Sequence, residues 1–279
     1  MCEDCGCGLT GGIPVTVSAH SHAGHGEHEH GHAHGHEHAH DHGHEHTHDA
    51  GAEAHQTLNL RHAILEKNDL LAERNRGFFR ARRLLVLNVL SSPGSGKTTL
   101  VGETIRRLGR RLKTGVIVGD LATDNDARRL RETGAPVVQI TTGTVCHLDA
   151  EMVARAVKQL DLTGLGLLII ENVGNLVCPA SYDLGEDLRV VMLSVTEGED
   201  KPLKYPPMFH LANAVVISKV DLAGPCDFNR DAATANIRHI APHARLFEVS
   251  SKAGTGMDDW CDYLIKQHEA AKARDPLGA

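Results

Sequence analysis

Aromatic residues are scarce in this chain: one Trp, three Tyr and five Phe in 279 positions, or 3%. A core built almost without them must be filled by Leu, Ile, Val and Ala. No run reaches the roughly 18 apolar residues that a membrane-spanning helix requires, which excludes a helical membrane protein. The first residues have neither the basic stretch nor the apolar stretch of a secretory signal, so the sequence predicts a cytoplasmic protein with no membrane partner. In that compartment the seven cysteines stay reduced, and clustered ones read as metal ligands before disulfides. Lysine and arginine are absent from residues 1–60, which carry nine acidic side chains; against a net −7 for the chain, that leaves about +2 for everything after residue 60. The distribution points to no nucleic-acid-binding surface.

Histidine, in contrast, is abundant in one place. Residues 20–55 hold 15 of the 21 histidines, and eleven of them fall on every even position from His28 to His48. The tract has almost nothing to bury and is expected to be disordered without metal. Many neutral imidazoles favour loose, multiple binding of a transition metal. The interruptions by Gly, Ala, Glu and Asp distinguish it from a purification tag. Ahead of it, Cys2, Cys5 and Cys7 form C-x2-C-x-C, with Gly6 and Gly8 allowing the thiolates to converge on one ion. Three soft donors suit Zn²⁺, Cu⁺ or square-planar Ni²⁺. No second C-x2-C follows, so half of a zinc ribbon is the poorer reading. The expected organisation is a Cys/His-rich tail over 1–56, a helix over 57–83 and a nucleotide-binding domain over 84–279.

From Leu58 to Arg82 the apolar stripe Leu60, Ile64, Leu71, Phe78 predicts a helix, with Gly77 expected to break it late. Short apolar runs then alternate with helical segments: Leu84–Leu90, Val116–Val118, Val137–Ile140, Leu165–Ile170, Val190–Val195, Ala214–Ile217 and Leu246–Val249. Helices are expected near 97–112 and 148–160. This alternation predicts an α/β fold, a mostly parallel sheet with helices on both faces. Ligands of such sheets sit at the carboxyl ends of the strands.

The chemistry-bearing residues fall at those ends. Ser92-Pro93-Gly94-Ser95-Gly96-Lys97-Thr98-Thr99 follows the first strand as a phosphate loop. Gly94, Ser95 and Gly96 supply backbone N–H groups, Lys97 is expected to reach the β and γ phosphates, and Thr98 to ligate Mg²⁺, with Thr99 completing the turn. The first position of the pattern, usually glycine, is Ser91, which is harder to place in a strained turn. Glu171, ending Leu167-Leu168-Ile169-Ile170, reads as a second carboxylate for the Mg²⁺ neighbourhood, Asp120 as another, and Gly174 as a backbone follower of the γ-phosphate. Lys97, Thr98 and Glu171 are the expected catalytic set. Lys219 and Asp221 resemble a guanine-specificity motif with Ser218 at its first position, and Ser251-Lys252 resembles the companion loop, so GTP is favoured over ATP. The absence of an acceptor-binding lid, with Lys219 and Asp221, argues against a small-molecule kinase.

Cys146-His147 and Cys178 form a second metal set. Cys178 lies four residues after Gly174, so a metal there would be coupled to nucleotide state. One chain offers three ligands where a tetrahedral ion takes four, and a symmetric dimer would pool them. Cys226 and Cys261, with His210, His239 and His243, read as structural residues.

Taken together these stretches resemble the HypB family, SIMIBI-class GTPases that assist nickel insertion into nickel–iron hydrogenase. Besides the Cys-rich start, the resemblance includes Glu66-Lys67-Asn68-Asp69, Asn75-Arg76, Ser91 to Thr99, Thr142-Gly143, Cys146 to Ala150 and Glu171 to Pro179. It implies dimerisation on GTP binding, a tight nickel site at Cys2, Cys5 and Cys7, and a nickel or zinc site at Cys146, His147 and Cys178. It also implies two partners, a HypA-like zinc accessory protein and the hydrogenase large subunit. The alternatives are a UreG-like urease nickel GTPase and a nickel or zinc store with a regulatory G domain. UreG places Cys-Pro-His at its metal site, whereas this chain has Cys178-Pro179-Ala180.

Overall fold

The computed structural model describes residues 50–273. Cys2, Cys5, Cys7 and the histidines up to His48, with the disorder expected of them, lie outside the described residues. Seven strands form one sheet: β1 Leu85–Ser91, β2 Thr114–Asp120, β3 Val137–Thr141, β4 Leu167–Glu171, β5 Leu188–Ser194, β6 Ala214–Ser218 and β7 Arg245–Val249. Their order is β3-β2-β4-β1-β5-β6-β7 and every pairing is parallel. The helices are α1 Ala50–Ala81, α2 Lys97–Leu108, α3 Asn125–Arg131, α4 Ala150–Val157, α5 Lys201–Lys204, α6 Pro206–His210, α7 Arg230–Ile240 and α8 Met257–Ala273. All seven expected strands are present. Only α1, α2 and α4 were anticipated; α3, α5, α6, α7 and α8 were not.

The central strands are buried on both faces, which is why they read as unbroken apolar runs. Along β1, Leu85, Leu87 and Val89 pack with Leu100, Ile105 and Leu108 of α2 and Trp260 and Leu264 of α8. Val86 packs on the opposite face with Phe79 of α1 and Val153 and Val157 of α4. The few aromatics are concentrated: Phe247 lies 5.3 Å from Trp260 and 5.0 Å from Tyr263 between ring centroids. The single Trp is buried and donates from Nε1 to Thr104 Oγ1 at 3.0 Å, which removes the cost of burying an unpaired indole N–H.

Helix α1 corrects three expectations. It begins at Ala50 rather than at 57, in an alanine-rich run of high helix propensity. It passes through Gly77 without a break. The expected stripe is also not the packed face, since Ile64 is 38% and Phe78 40% exposed. The buried face carries Asn68, Ala72, Asn75 and Phe79, a helical i, i+4, i+7, i+11 series with two polar members that an apolar period cannot show. These asparagines replace apolar contacts by hydrogen bonds. Asn68 donates to Asp183 O at 2.8 Å and accepts from Ala150 N at 2.9 Å. Asn75 donates to Ala150 O at 2.9 Å and Leu184 O at 3.1 Å. Helix α1 therefore ties together the start of α4 and the loop before β5. Gly185 makes the close approach possible: a Cβ there would stand 2.6 Å from Ala72 O, and its φ is +87°.

The helix ends in a Schellman arrangement, with Leu84 N donating to Phe79 O at 3.1 Å and Arg83 N to Arg80 O at 2.9 Å. The left-handed residue of that motif is ordinarily glycine, but here it is Arg83, with φ 57°.

Replacing Asn75 by Ala leaves two buried carbonyls without their donor. Urea unfolding should show a loss of about 1–3 kcal/mol, whereas the same change at exposed Leu70 should cost little.

Candidate functional site

The carboxyl end of β1 turns at Ser91 into the phosphate loop, in which Gly94 (φ 75°) and Gly96 (φ 94°) adopt left-handed conformations before α2 begins at Lys97. Ser91 is not in a strained turn. It completes β1, and its hydroxyl accepts from Lys97 Nζ at 2.9 Å while donating to Ser92 O at 2.7 Å. A glycine could not hold the lysine in this way. Two residues from the end of β6 grip the loop from the other side: Ser218 Oγ donates to Ser95 O at 2.8 Å and Lys219 Nζ to Gly94 O at 2.8 Å. Serine at 218 is thus the residue that fastens the phosphate loop to β6.

The loop opens on a cavity of about 450 Å³ lined by Pro93, Gly94, Gly96, Lys97, Thr98, Thr99, Asp120, Glu171, Gly174 and Lys219 among others. Burial lowers the pKa of Lys97, opposed by the Glu171 carboxylate. Glu171 ends β4 wholly buried, and burial raises its pKa to about 7 against the pull of Lys97 and Thr98. Its Oε1 accepts from Thr98 Oγ1 at 2.7 Å, while its Oε2 is buried with no hydrogen-bond partner. A carboxylate and a hydroxyl beside an unsatisfied buried oxygen fit the requirements of a hard divalent cation. Asp120 borders the same cavity and accepts from Thr123 Oγ1 at 2.7 Å. Gly174 runs against the phosphate loop, where a Cβ would come within 3.0–3.2 Å of Pro93.

Asp221, Ser251 and Lys252 do not line this cavity. They follow β6 and β7, which are neighbours in the sheet, and so stand at the same end of it. Sequence reasoning missed Asp126, Arg129 and Asn172, which do line the cavity. Asp126 and Arg129 are one helical turn apart on α3 and 3.7 Å from each other; their i, i+3 spacing just after Asp120 was the available signal.

Cys146, His147 and Cys178 come together as expected. Their ligand atoms all lie within 4.8 Å of one another, and among the described residues no other such group of three occurs. Donors about 2.0–2.3 Å from one tetrahedral ion stand roughly 3.5 Å apart, so the separations are within about an ångström of those an ion requires. His147 is buried, its ring stacked on Tyr182 at 3.9 Å between centroids, and its Nδ1 lacks a hydrogen-bond partner. Burial lowers its pKa, with Asp149 opposing, which favours the neutral imidazole that a metal requires. Cys261 is buried with its thiol pushed up to about 11, consistent with a structural, unreactive residue.

Asn172 connects the two sites. Fully buried, its Oδ1 accepts from Leu148 N (3.2 Å), next to His147, and from Val173 N (2.9 Å). Its Nδ2 donates to Asn88 Oδ1 at 3.2 Å on β1, and Asn88 donates in turn to Glu186 Oε1 at 3.1 Å. Arg189 also bonds Glu186 and holds Ala180 O (3.0 Å) and Tyr182 O (3.1 Å), just beyond Cys178. Asn175 reaches Cys146 O at 3.4 Å.

A family model described as the CobW/HypB/UreG nucleotide-binding domain matches residues 85–248. The hydrogenase maturation factor HypB of Azotobacter chroococcum mcd 1 is 51% identical over 220 residues, 79% of this chain and 72% of that one. The chain belongs to the HypB family. HypB of Escherichia coli strain K12 is likewise 51% identical, over 78% of this chain and 75% of its own. Among solved structures, HypB from Helicobacter pylori in complex with nickel has a TM-score of 0.70 and 41% identity, over 75% of this chain and 99% of that one. HypB from Archaeoglobus fulgidus gives 0.69 and 40%, over 73% and 99%. The family match encloses both the phosphate loop and the Cys146, His147, Cys178 cluster. Among the described residues no helix is long and apolar enough to cross a membrane.

Glu171 makes the chain without nucleotide or metal pH-sensitive. A carboxyl whose folded pKa is raised stabilises the fold below its ordinary value near 4.5 and loses that contribution as pH rises through about 7. Thermal midpoints should fall across that window by up to roughly 3 kcal/mol in stability, and Glu171→Gln should abolish this component. An unchanged profile in the variant would refute the assignment.

Proposed function

We propose that this chain is a GTP-hydrolysing nickel metallochaperone of nickel–iron hydrogenase maturation, in which nucleotide state sets metal affinity. One observation carries the reading. The stretch from Glu171 to Cys178 contains the carboxylate of the nucleotide cavity, the glycine against Pro93 and a ligand of the metal cluster, and Asn172 within it also anchors the loop of Cys146 and His147. A shift of this stretch toward or away from a γ-phosphate changes the positions of all three ligands. The names of the relatives, and the nickel in the Helicobacter pylori structure, agree with that reading.

In this mechanism the N–H groups of the phosphate loop and the Lys97 ammonium receive the phosphates. Thr98 and Glu171, with Asp120 nearby, are the residues that would hold Mg²⁺, which would neutralise charge between the β and γ oxygens. Thr98 and Glu171 would each offer an oxygen to that ion in place of their mutual hydrogen bond, with Glu171 ionised. Lys219, with Asp221 and the Ser251-Lys252 loop, takes the guanine. Loss of the γ-phosphate releases Gly174 from its neighbour, and the ladder from Asn172 through Asn88 and Glu186 to Arg189 passes that change to both loops of the metal cluster.

The cluster has one ligand too few for a tetrahedral ion, and a second copy of the chain supplies the rest, so dimerisation on GTP binding belongs to the same reading. Nickel and zinc both suit these donors. Cys2, Cys5 and Cys7 serve as a tighter nickel site and the histidine tract as a reserve. A HypA-like zinc protein and the hydrogenase large subunit are the cytoplasmic partners.

Nickel titration in GDP and in a non-hydrolysable GTP analogue tests the coupling. The affinity of the Cys146, His147, Cys178 site should differ about fivefold or more between the two states. Asn172→Ala should bring the two affinities together, whereas Cys146→Ala should remove binding in both. Equal nickel affinity in the two states of the unaltered protein would overturn the proposal.

A further inference from the structure

At the amino end of the sheet, opposite the nucleotide cavity, lies a second concavity of about 360 Å³. The residues immediately before three central strands form it: Arg82 and Arg83 before β1, Lys113 before β2, and the 164–166 turn before β4. Arg110 and Arg111 join from beyond α2, and His268 and Lys272 from α8. Among the described residues, six cationic side chains and no carboxylate line it. A seven-residue strand puts this cavity about 20 Å from the phosphate loop, so it cannot belong to the nucleotide site.

Several arginines elsewhere in the fold are paired with carboxylates. Arg76 lies 2.6 Å from Asp183, Arg107 2.7 Å from Asp258 and Arg189 3.0 Å from Glu186. Here Arg82, Arg83, Arg110 and Lys113 make no ion pair among the described residues, while Arg111 reaches Asp262 at 3.9 Å and Lys272 reaches Glu269 at 3.3 Å. His268 borders the cavity while 8% exposed, and its Nδ1 has no hydrogen-bond partner. Arg83, in a left-handed position where glycine is favoured, contributes one of these guanidinium groups.

We propose that this cavity is a second anion site that takes a compact diphosphate-type ligand. Guanidinium forks pair bidentately with phosphate oxygens, and the assembled charge exceeds what a single carboxylate would balance. The volume lies near the lower limit of small-ligand sites. No Phe, Tyr or Trp lines the cavity, so it offers no platform for stacked bases. Free diphosphate and the diphosphate of a second nucleotide share this chemistry.

The test titrates inorganic pyrophosphate, and separately further GDP, into the full-length chain already saturated with GDP. One additional pyrophosphate should bind, weakened about tenfold by Arg110→Ala, and weakened again by Arg83→Gly. The glycine variant should unfold at the same or a higher urea concentration than the parent, which separates loss of the ligand from loss of the fold. A second equivalent of GDP that competes with pyrophosphate would assign the same site to a nucleotide's diphosphate. The proposal fails if no second anion binds, or if its binding is lost in Lys97→Ala and kept in Arg83→Gly. It also fails if a single-stranded oligonucleotide displaces pyrophosphate and binds more tightly at the same arginines.

Discussion

The side-chain amide of Asn172 is the interaction on which the functional half of this structure depends. It sits 1% exposed at the end of β4, between the carboxylate of the nucleotide cavity and the loop that leads to Cys178. Its oxygen serves two backbone N–H groups and its nitrogen serves Asn88. In surroundings of low polarity, an unmade bond in such a ladder costs the full desolvation of the group left behind. The ladder therefore favours a few discrete arrangements over gradual deformation. That property suits the proposed link between the nucleotide cavity and the Cys146, His147, Cys178 cluster, because a small displacement at one end is not absorbed along the way.

Helix α1 gives the metal loops a second fixed point. Asn68 and Asn75 hold Ala150, Asp183 and Leu184, which flank the two segments that carry Cys146, His147 and Cys178. The cluster is thus held on one side by the nucleotide domain's own strands and on the other by a helix that arises outside the sheet. Apolar packing could have docked α1 at similar cost, but hydrogen bonds to named carbonyls also specify its register.

Much of the molecule was legible in the sequence, for identifiable reasons. Strands buried on both faces announce themselves as apolar runs, and the phosphate loop, Glu171 and the Cys146, His147, Cys178 set fall at their carboxyl ends because parallel α/β sheets place ligands there. Less legible were contacts that depend on what faces what. The stripe Leu60, Ile64, Leu71, Phe78 looked like the packed side of α1, yet Asn68 and Asn75 mark the packed side, because buried amides satisfied by backbone leave no apolar signature. Ser91 looked like a flaw in the glycine pattern, yet its hydroxyl accepts from Lys97 Nζ. Asp126 and Arg129 sit on a short helix whose sequence, Asn-Asp-Ala-Arg-Arg-Leu-Arg, is too polar to be read as an element. The roles of Asn88 and Glu186 follow only from the register that sets β1 beside β4 and β5.

The protonation state of Glu171 extends beyond stability. With its carboxyl raised to about 7, Glu171 would share a proton near neutrality, and a divalent ion held there as proposed would displace it. Under the proposed function, binding and release would then exchange hydrogen ions with the medium. A carboxylate buried to complete a cavity would thereby make the occupancy of the proposed switch responsive to the acidity around it.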